Sequence, residues 1–420
     1  MRLLFVGLNH APELVGIGRY TGETAAWLAA RGHDVTVVTG HPYYPAWRAE
    51  GPAWRWACET REGVRVIRCP LWVPRRPTAP RRIAHLLSFA ASSAPTAIWA
   101  ARRHRPEIVI AIEPTVLAAP GALAAARAVD ARTWLHVQDL ELGAATRLGL
   151  AGSGAGGRLA AAAYRRVLRR FDRISTLSRA MADALIDQGA PPERLSIIRN
   201  GVDVARLGAG DGAALRRELG IAEDRIVALY AGNLGEKQGV LSLVELARML
   251  ADDPRILIVI AGDGALRSAL ETAAQGLANL RLLPLQPEAR LADLLAMADI
   301  HLLPQKRGVS SFAMPSKLGG MLASGRACVV QADERCELHD LLAGAAALVP
   351  PEDGEALLAA VRRLARNPAM RLRLGHAGRA RATTLLDREA ILMRLEDALA
   401  ALIDGTATGS EPVPARAEAA

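Results

Sequence analysis

Only three of the 52 basic residues in this chain are lysines, Lys237, Lys306 and Lys317, so each calls for a local chemical reason. Lys237 lies in Tyr230-Ala231-Gly232-Asn233-Leu234-Gly235-Glu236-Lys237-Gln238-Gly239, where an apolar run ends in a glycine-rich loop. Glycines let the backbone approach a ligand closely, and a cation at the start of the next helix suits a diphosphate. The bland alternative is a capped loop with a surface lysine. Ala261-Gly262-Asp263-Gly264 repeats the pattern, and Met314-Pro315-Ser316-Lys317-Leu318 sets the third lysine in a helix's first turn. There it opposes the helix dipole unless an anion lies beside it. Lys306 has no such loop. In the first half, Gly16-Ile17-Gly18 and Arg19-Tyr20-Thr21-Gly22 open a helix. They do not form a hydride-transfer fingerprint: the glycines come too far after the first apolar run, and the second run ends in Val38-Thr39-Gly40 without an acid for a ribose. Leu135-His136-Val137-Gln138-Asp139 sets polar groups directly after an apolar run, and His136 is read either as a ligand-facing group or as a satisfied core histidine.

Ligands bind beyond the carboxyl ends of strands in open parallel sheets, so these residues need such strands behind them. Arg2–Leu8, Asp34–Thr39, Val64–Cys69, Ile108–Ile112, Arg132–Val137, Arg173–Leu177 and Leu195–Arg199 read as strands. Helical patterns over Tyr20–Arg31, Val116–Val129, Arg158–Arg170 and Arg179–Gln188 alternate with them. After a Gly- and Asp-rich join near Asp203–Gly212 the pattern restarts, with strands at Ile226–Ala231, Ile256–Ala261, Leu280–Pro284, Ile300–Leu303, Cys328–Val330 and Ala346–Val349. Apolar strands separated by helices predict parallel sheets covered on both faces. The expected fold class is therefore α/β, with two doubly wound Rossmann-like domains facing a cleft.

Composition agrees with two cores: 420 residues, 51% hydrophobic and 23% charged, exclude a disordered or fibrous chain. Residues 1–200 carry a net charge of +12 and residues 201–420 of −3, and residues 61–105 hold ten Arg against one acid, Glu62. Arginine interleaved with apolar residues suits an anionic membrane surface. Nucleic acid is not expected, because the charge lies on one domain without a stacking motif. Ile83–Ala101 is free of formal charge between Arg81-Arg82 and Arg102-Arg103. It is too polar to span a bilayer, and two readings stay open: an interfacial helix, or an ordinary domain helix with a solvated Arg face. Cys58, Cys69, Cys328 and Cys336 form no Cys-x-x-Cys pair, and the amino-terminal apolar run is too short for a signal peptide. A cytoplasmic protein, peripheral at the inner face of the plasma membrane, is expected. No Asp-x-Asp clamp stands at a predicted strand end, so neither a metal nor another cofactor is expected.

Taken together the motifs resemble family 4 of the GT-B glycosyltransferases, and in particular the branch that builds exopolysaccharides of the colanic acid kind. The segments that carry the likeness are Gly16-Ile17-Gly18 with Tyr20-Thr21-Gly22, Gly32-His33-Asp34-Val35, Pro42-Tyr43-Tyr44-Pro45, His136-Val137-Gln138-Asp139, Asn200-Gly201-Val202-Asp203, Gly232-Asn233 with Lys237-Gln238-Gly239, Gly262-Asp263-Gly264, and Pro315-Ser316-Lys317 through Ala323-Ser324-Gly325. The resemblance implies a retaining transfer of a sugar from a nucleotide-sugar, usually without a metal, to a polyprenyl-diphosphate-linked saccharide. It implies an acceptor domain over 1–203 and a nucleotide-sugar domain over 204–385; a carboxyl-terminal helix is expected over 386–404, and the tail over 405–420, which opens Gly-Thr-Ala-Thr-Gly-Ser-Glu-Pro, reads as disordered. His136 and Lys237 become the expected catalytic residues. Gly16, Gly18, Asn200, Asn233, Lys237, Gly262, Gly264, Pro315, Ser316 and Lys317 become donor contacts, and Tyr20, Tyr43, Tyr44, Gln138 and Asp139 lie on the acceptor side. The chain departs from the family pattern at Phe312 and Gly320, where many members carry glutamates, at Asn233 in place of Arg, and at Glu141-Leu142-Gly143. Two other readings remain: a non-catalytic nucleotide-sugar-binding assembly subunit, and a sugar-nucleotide epimerase of the same fold.

Overall fold

The computed structural model describes residues 1–13, 16–44, 46–49, 51–113, 116–140, 155–308 and 315–406. The chain separates into two compact units, one of residues 1–199 with 392–420 and one of residues 200–391. In the first, β1 (Arg2–Val6), β2 (Asp34–Gly40), β3 (Ala57–Arg61), β4 (Val64–Cys69), β5 (Ile108–Glu113), β6 (Arg132–Val137), β7 (Arg173–Thr176) and β8 (Leu195–Ile197) form one sheet in the order β3-β4-β2-β1-β5-β6-β7-β8. In the second, β9 (Ile226–Ala231), β10 (Ile256–Ala261), β11 (Leu280–Leu283), β12 (Ile300–Leu303), β13 (Ala327–Gln331) and β14 (Ala347–Val349) run in the order β11-β10-β9-β12-β13-β14. All neighbours are parallel except β3 and β4. Strands such as Ile-Val-Ile-Ala-Ile-Glu (β5) and Ile-Leu-Ile-Val-Ile-Ala (β10) are buried along their whole length, because helices cover both faces.

The helices that matter to the site are α1 (Ile17–Ala30), α2 (Ala79–His104), α3 (Ala119–Arg127), α4 (Ala155–Leu168) and α5 (Arg179–Asp187) in the first unit. In the second they are α6 (Ser242–Met249), α7 (Ser316–Ala323), α8 (Gly354–Arg366) and α9 (Pro368–Leu385). The carboxyl-terminal helix α10 (Arg388–Asp404) ends in the first unit, where Ala398, Leu399 and Leu402 pack with Leu3, Phe5, Val35, Val37 and Ile110. Arg31 and His33 each pair with Glu396 at 2.7 Å. Leu399 has no exposed surface. Leu399→Ala should therefore cost about 2 to 5 kcal/mol, the cost of a truncated core leucine, read as a shift of the first unit's transition in urea.

One strand escapes the sequence pattern. Ala57-Cys58-Glu59-Thr60-Arg61 has no apolar run, and all five residues of β3 are exposed. It forms by pairing antiparallel to β4 at the sheet's edge, a tertiary choice that no alternation in its own sequence announces. Of the expected features, Pro45, Glu141-Leu142-Gly143, Phe312, Met314 and residues 407–420 of the tail lie outside the described residues.

Candidate functional site

In the first unit the site grows from Glu13, which the sequence pattern does not single out. This carboxyl is buried, accepts the backbone N–H groups of Tyr43 and Tyr44 at 3.1 Å each through Oε1, and accepts from Asn9 Nδ2 at 2.9 Å through Oε2. It thereby ties the loop after β1 to the turn after β2. Burial pushes the Glu13 pKa up, while the two backbone donors pull it back. A methyl group on Gly18 would lie 2.5 Å from Glu13 Oε2, so only glycine lets the first turn of α1 cross the carboxylate. Arg68, buried and paired with Glu59 at 2.6 Å, fixes the same corner by donating to the carbonyls of Ala11 at 2.7 Å and Gly40 at 3.1 Å.

A pocket of about 230 Å³ opens here. Its walls include Gly16, Gly18, Tyr43, Tyr44 and Asp139, so five of the expected first-unit residues converge, together with Glu13, Trp47 and Arg82, which were not expected. Tyr20 and Gln138 are not among the lining residues. Neither is His136. Strand register explains its setting, because His136 lies opposite Ser175 in the β6–β7 ladder. The Ser175 hydroxyl accepts from Trp134 Nε1 at 2.8 Å and meets His136 Nδ1 at 2.8 Å. Having accepted one bond from the indole, the Ser175 hydroxyl can either donate to Nδ1 or accept from it through its second lone pair, so the contact is compatible with both neutral tautomers of His136. Burial holds the His136 pKa down at about 4, so at neutral pH the ring is uncharged and not a cation.

In the second unit the glycine loops after β9 and β10 interlock. Gly232 (φ 144°) and Gly262 (φ 152°) occupy backbone conformations that favour glycine, and a Cβ on Gly262 would fall 1.9 Å from the Gly232 carbonyl oxygen. A Cβ on Gly232 would fall 2.2 Å from Lys317 Cε. The lysine stem from the first turn of α7 therefore lies directly across the loop. Its ammonium donates to the Tyr230 hydroxyl, stands 3.4 Å from the Asn233 carbonyl oxygen, and lies 4.4 Å from the Tyr230 ring centre. Tyr230 is buried and donates its one proton to the Asn233 carbonyl at 2.6 Å, so towards Lys317 it acts only as an acceptor. Burial lowers the Lys317 pKa to about 8.

Pro315, half-buried, and Ser316, exposed, lead into α7 and bring Lys317 to this loop. Gly264 packs on the same corner, where a Cβ would lie 2.6 Å from Asn233 Oδ1. Lys237 is exposed in the 3-10 turn Glu236–Gln238 that leaves the loop, and Lys306 is also exposed. Asn200 is half-buried at the sequence junction of the two units. A Cβ on Gly320, which is half-buried, would meet only the side-chain tips Leu295 Cδ1 at 3.3 Å and Leu207 Cδ1 at 3.7 Å. Besides Trp47 and Arg82, the sequence reading missed Tyr230 and Glu13. The signals were present but faint: one aromatic in an aliphatic strand, and one acid three residues before a glycine turn. Among the described residues no group of three or more His, Cys, Asp or Glu side chains could hold a metal ion.

Two doubly wound domains with glycine loops at strand ends make up the GT-B fold. Solved structures agree in fold: sucrose-phosphate synthase of Thermosynechococcus elongatus superposes with a TM-score of 0.74 at 16% identity, covering 96% of this chain and 100% of that one. HepE of Anabaena, solved in complex with UDP, superposes with a TM-score of 0.69 at 16% identity over the same shares. The family described as Glycosyl transferase 4-like domain matches residues 15–201, and Glycosyl transferases group 1 matches residues 211–381. The putative colanic acid biosynthesis glycosyl transferase WcaI of Escherichia coli K12 is 42% identical over 374 residues, 86% of this chain and 91% of that protein. A glycogen synthase of Mycobacterium tuberculosis H37Rv is 28% identical over 415 residues, 93% of this chain and 92% of that protein. The chain belongs to family 4 of the GT-B glycosyltransferases, in the colanic-acid branch.

Proposed function

We propose that this glycosyltransferase moves a sugar from a nucleoside-diphosphate sugar to a polyprenyl-diphosphate-linked saccharide, with retention at the anomeric carbon, in exopolysaccharide assembly at an anionic membrane surface. The observation that carries the donor half is the Lys317 ammonium held against Asn233 and across Gly232, beside the Gly262 and Gly264 turns. A partly desolvated cation beside close-packed glycine backbone suits a diphosphate. The UDP in the HepE structure supports a nucleotide-sugar donor.

As the sugar–phosphate bond breaks, negative charge gathers on the leaving diphosphate, and cations already in place lower the barrier because they meet that charge without rearranging. Lys237 and Lys317 have this role, with backbone N–H groups of the glycine loops. In its Nε2–H tautomer His136 donates to a sugar hydroxyl or phosphate oxygen. No carboxylate is assigned as nucleophile; the acceptor hydroxyl attacks from the face the diphosphate leaves, and a departing phosphate oxygen takes its proton. On the acceptor side the pocket walls Tyr43, Tyr44 and Asp139, with Tyr20 and Gln138, orient the incoming saccharide.

The test is a panel of nucleotide-sugars with a short lipid-linked acceptor, the product's anomeric configuration being read by NMR with and without EDTA. The expected product keeps the donor's configuration, and its yield survives chelation. An inverted product, or loss with EDTA rescued by magnesium or manganese, would refute this chemistry. Glycine at position 320, where the family pattern has a glutamate, favours a second reading as a non-catalytic nucleotide-sugar-binding subunit. Donor bound in the panel with no product released would select it.

A further inference from the structure

Between Ile83 and Ala101 helix α2 carries no formal charge, and its inward side is settled by His85, Phe89, Ser93, Thr96, Ala97 and Ala100, all buried. The outward half is apolar as well. Ile83, Leu87, Ala91, Pro95 and Trp99, each four residues after the last, are all exposed, with Ile83, Leu87 and Trp99 at 56%, 51% and 55%. Four-residue steps make a slanting ridge about 24 Å long at 1.5 Å per residue. Two further exposed tryptophans stand beside the helix. Trp72 donates its backbone N–H to Ser88 Oγ at 3.1 Å, and Trp56 donates from Nε1 to Thr96 Oγ1 at 3.1 Å. Both are at least half exposed, as is Trp54 under the Arg55 guanidinium. Four of the chain's seven tryptophans thus face outward from one region of the first unit.

Exposed Arg75, Arg76, Arg81 and Arg82 flank the amino-terminal end of the ridge, and exposed Arg102 and Arg103 its carboxyl-terminal end. This charge decides the occupant. Two copies of the chain meeting on the ridge would set Arg against Arg whether the helices ran parallel or antiparallel, which like-charge repulsion opposes. A lipid headgroup layer instead offers phosphates to both ends and an amphipathic zone to the tryptophans between them. Pro95 sets the depth. It has no N–H to bond the Ala91 carbonyl, which leaves a polar group on the ridge that is tolerated at headgroup level and costly in hydrocarbon. Among the described residues no helix is long and apolar enough to cross a membrane.

We infer that α2 lies in the plane of an anionic bilayer surface, its Ile83–Trp99 ridge and Trp54, Trp56 and Trp72 seated at the boundary of headgroups and acyl chains. This deepens the membrane partner proposed above and rests on that reading. The experiment uses the full chain with vesicles of phosphatidylcholine alone, or mixed equally with phosphatidylglycerol, in flotation and tryptophan-emission assays. The parent should bind the anionic vesicles with a blue shift and leave the neutral ones. Leu87→Ser with Trp99→Ser should weaken that binding at least about tenfold. Arg102→Gln with Arg103→Gln should weaken it and flatten its salt dependence. Both variants should keep the parental melting temperature and parental turnover of a water-soluble acceptor. Parental vesicle binding by the serine variant would overturn the assignment. So would equal binding of the parent to both vesicle types, or a concentration-dependent dimer that the serine variant abolishes. A parent that binds vesicles but turns over no donor would refute the transferase reading and leave the docking surface standing.

Discussion

Lys237→Met is expected to lower kcat/KM for the nucleotide-sugar donor by about 30- to 1000-fold, while Lys306→Met leaves it near the parental value. A charge-assisted contact to a diphosphate whose charge grows in the transition state is worth roughly 2 to 4 kcal/mol, which converts to that range. Both lysines are exposed, and both substitutions keep most of the apolar stem, so neither should move the melting temperature. They differ in setting: Lys237 leaves the Gly232–Gly235 loop in a 3-10 turn, and Lys306 follows β12 without a glycine loop. Steady-state kinetics on the two purified variants decides the matter. Parental activity in Lys237→Met would make this lysine a solvated surface group and would move the diphosphate elsewhere.

The second large effect belongs to Lys317 and has a pH signature. Its pKa of about 8 means that the free enzyme carries the ammonium below that pH and loses it above. If the charged form holds the diphosphate, kcat/KM is level near neutrality and falls as pH rises through about 8. Bound donor favours the charged form, so the corresponding limb in kcat lies at higher pH. Stability runs the other way. The folded-state pKa is below the ordinary lysine value of about 10.4, so the folded chain binds fewer protons there, and this group lets the second unit gain stability between about pH 8 and 10. Falling activity with rising stability over one interval is hard to obtain from general alkaline damage. Lys317→Met should lose about 30- to 1000-fold in kcat/KM and abolish the alkaline limb. His136 contributes no limb between pH 6 and 9, because its ring is already neutral above about 4. A parental pH profile in Lys317→Met would show that the ammonium serves only the packing of Gly232 and Tyr230.

Much of this architecture is determined by the amino-acid sequence alone. Apolar runs such as Ile256–Ala261 are too short for helices and apolar throughout, so they must be strands covered on both faces, and β4, β6, β9, β10 and β12 begin and end at the residues their patterns indicate. The glycine turns are equally legible, since Gly232 and Gly262 stand where the chain leaves a strand in a conformation that favours glycine. Periodicity and turn chemistry are local, and local rules can be read along a chain. What only the tertiary structure decided is which distant groups meet. The exposed strand β3 exists because β4 offers an edge. The last helix ends in the first unit because Leu399 and Leu402 fit beneath β1 and β2. The charge-free stretch of α2 shows an apolar ridge because six inward side chains leave the other half of the helix uncovered. Glu13 gathers Asn9, Tyr43 and Tyr44, and Lys317 crosses Gly232 to reach Tyr230, 87 residues earlier in the chain. Burial of these groups, and with it the pKa values of about 8 and about 4 at Lys317 and His136, follows from neighbours supplied by other strands and helices. Desolvation depends on everything packed around a group, and no spacing along the sequence specifies it.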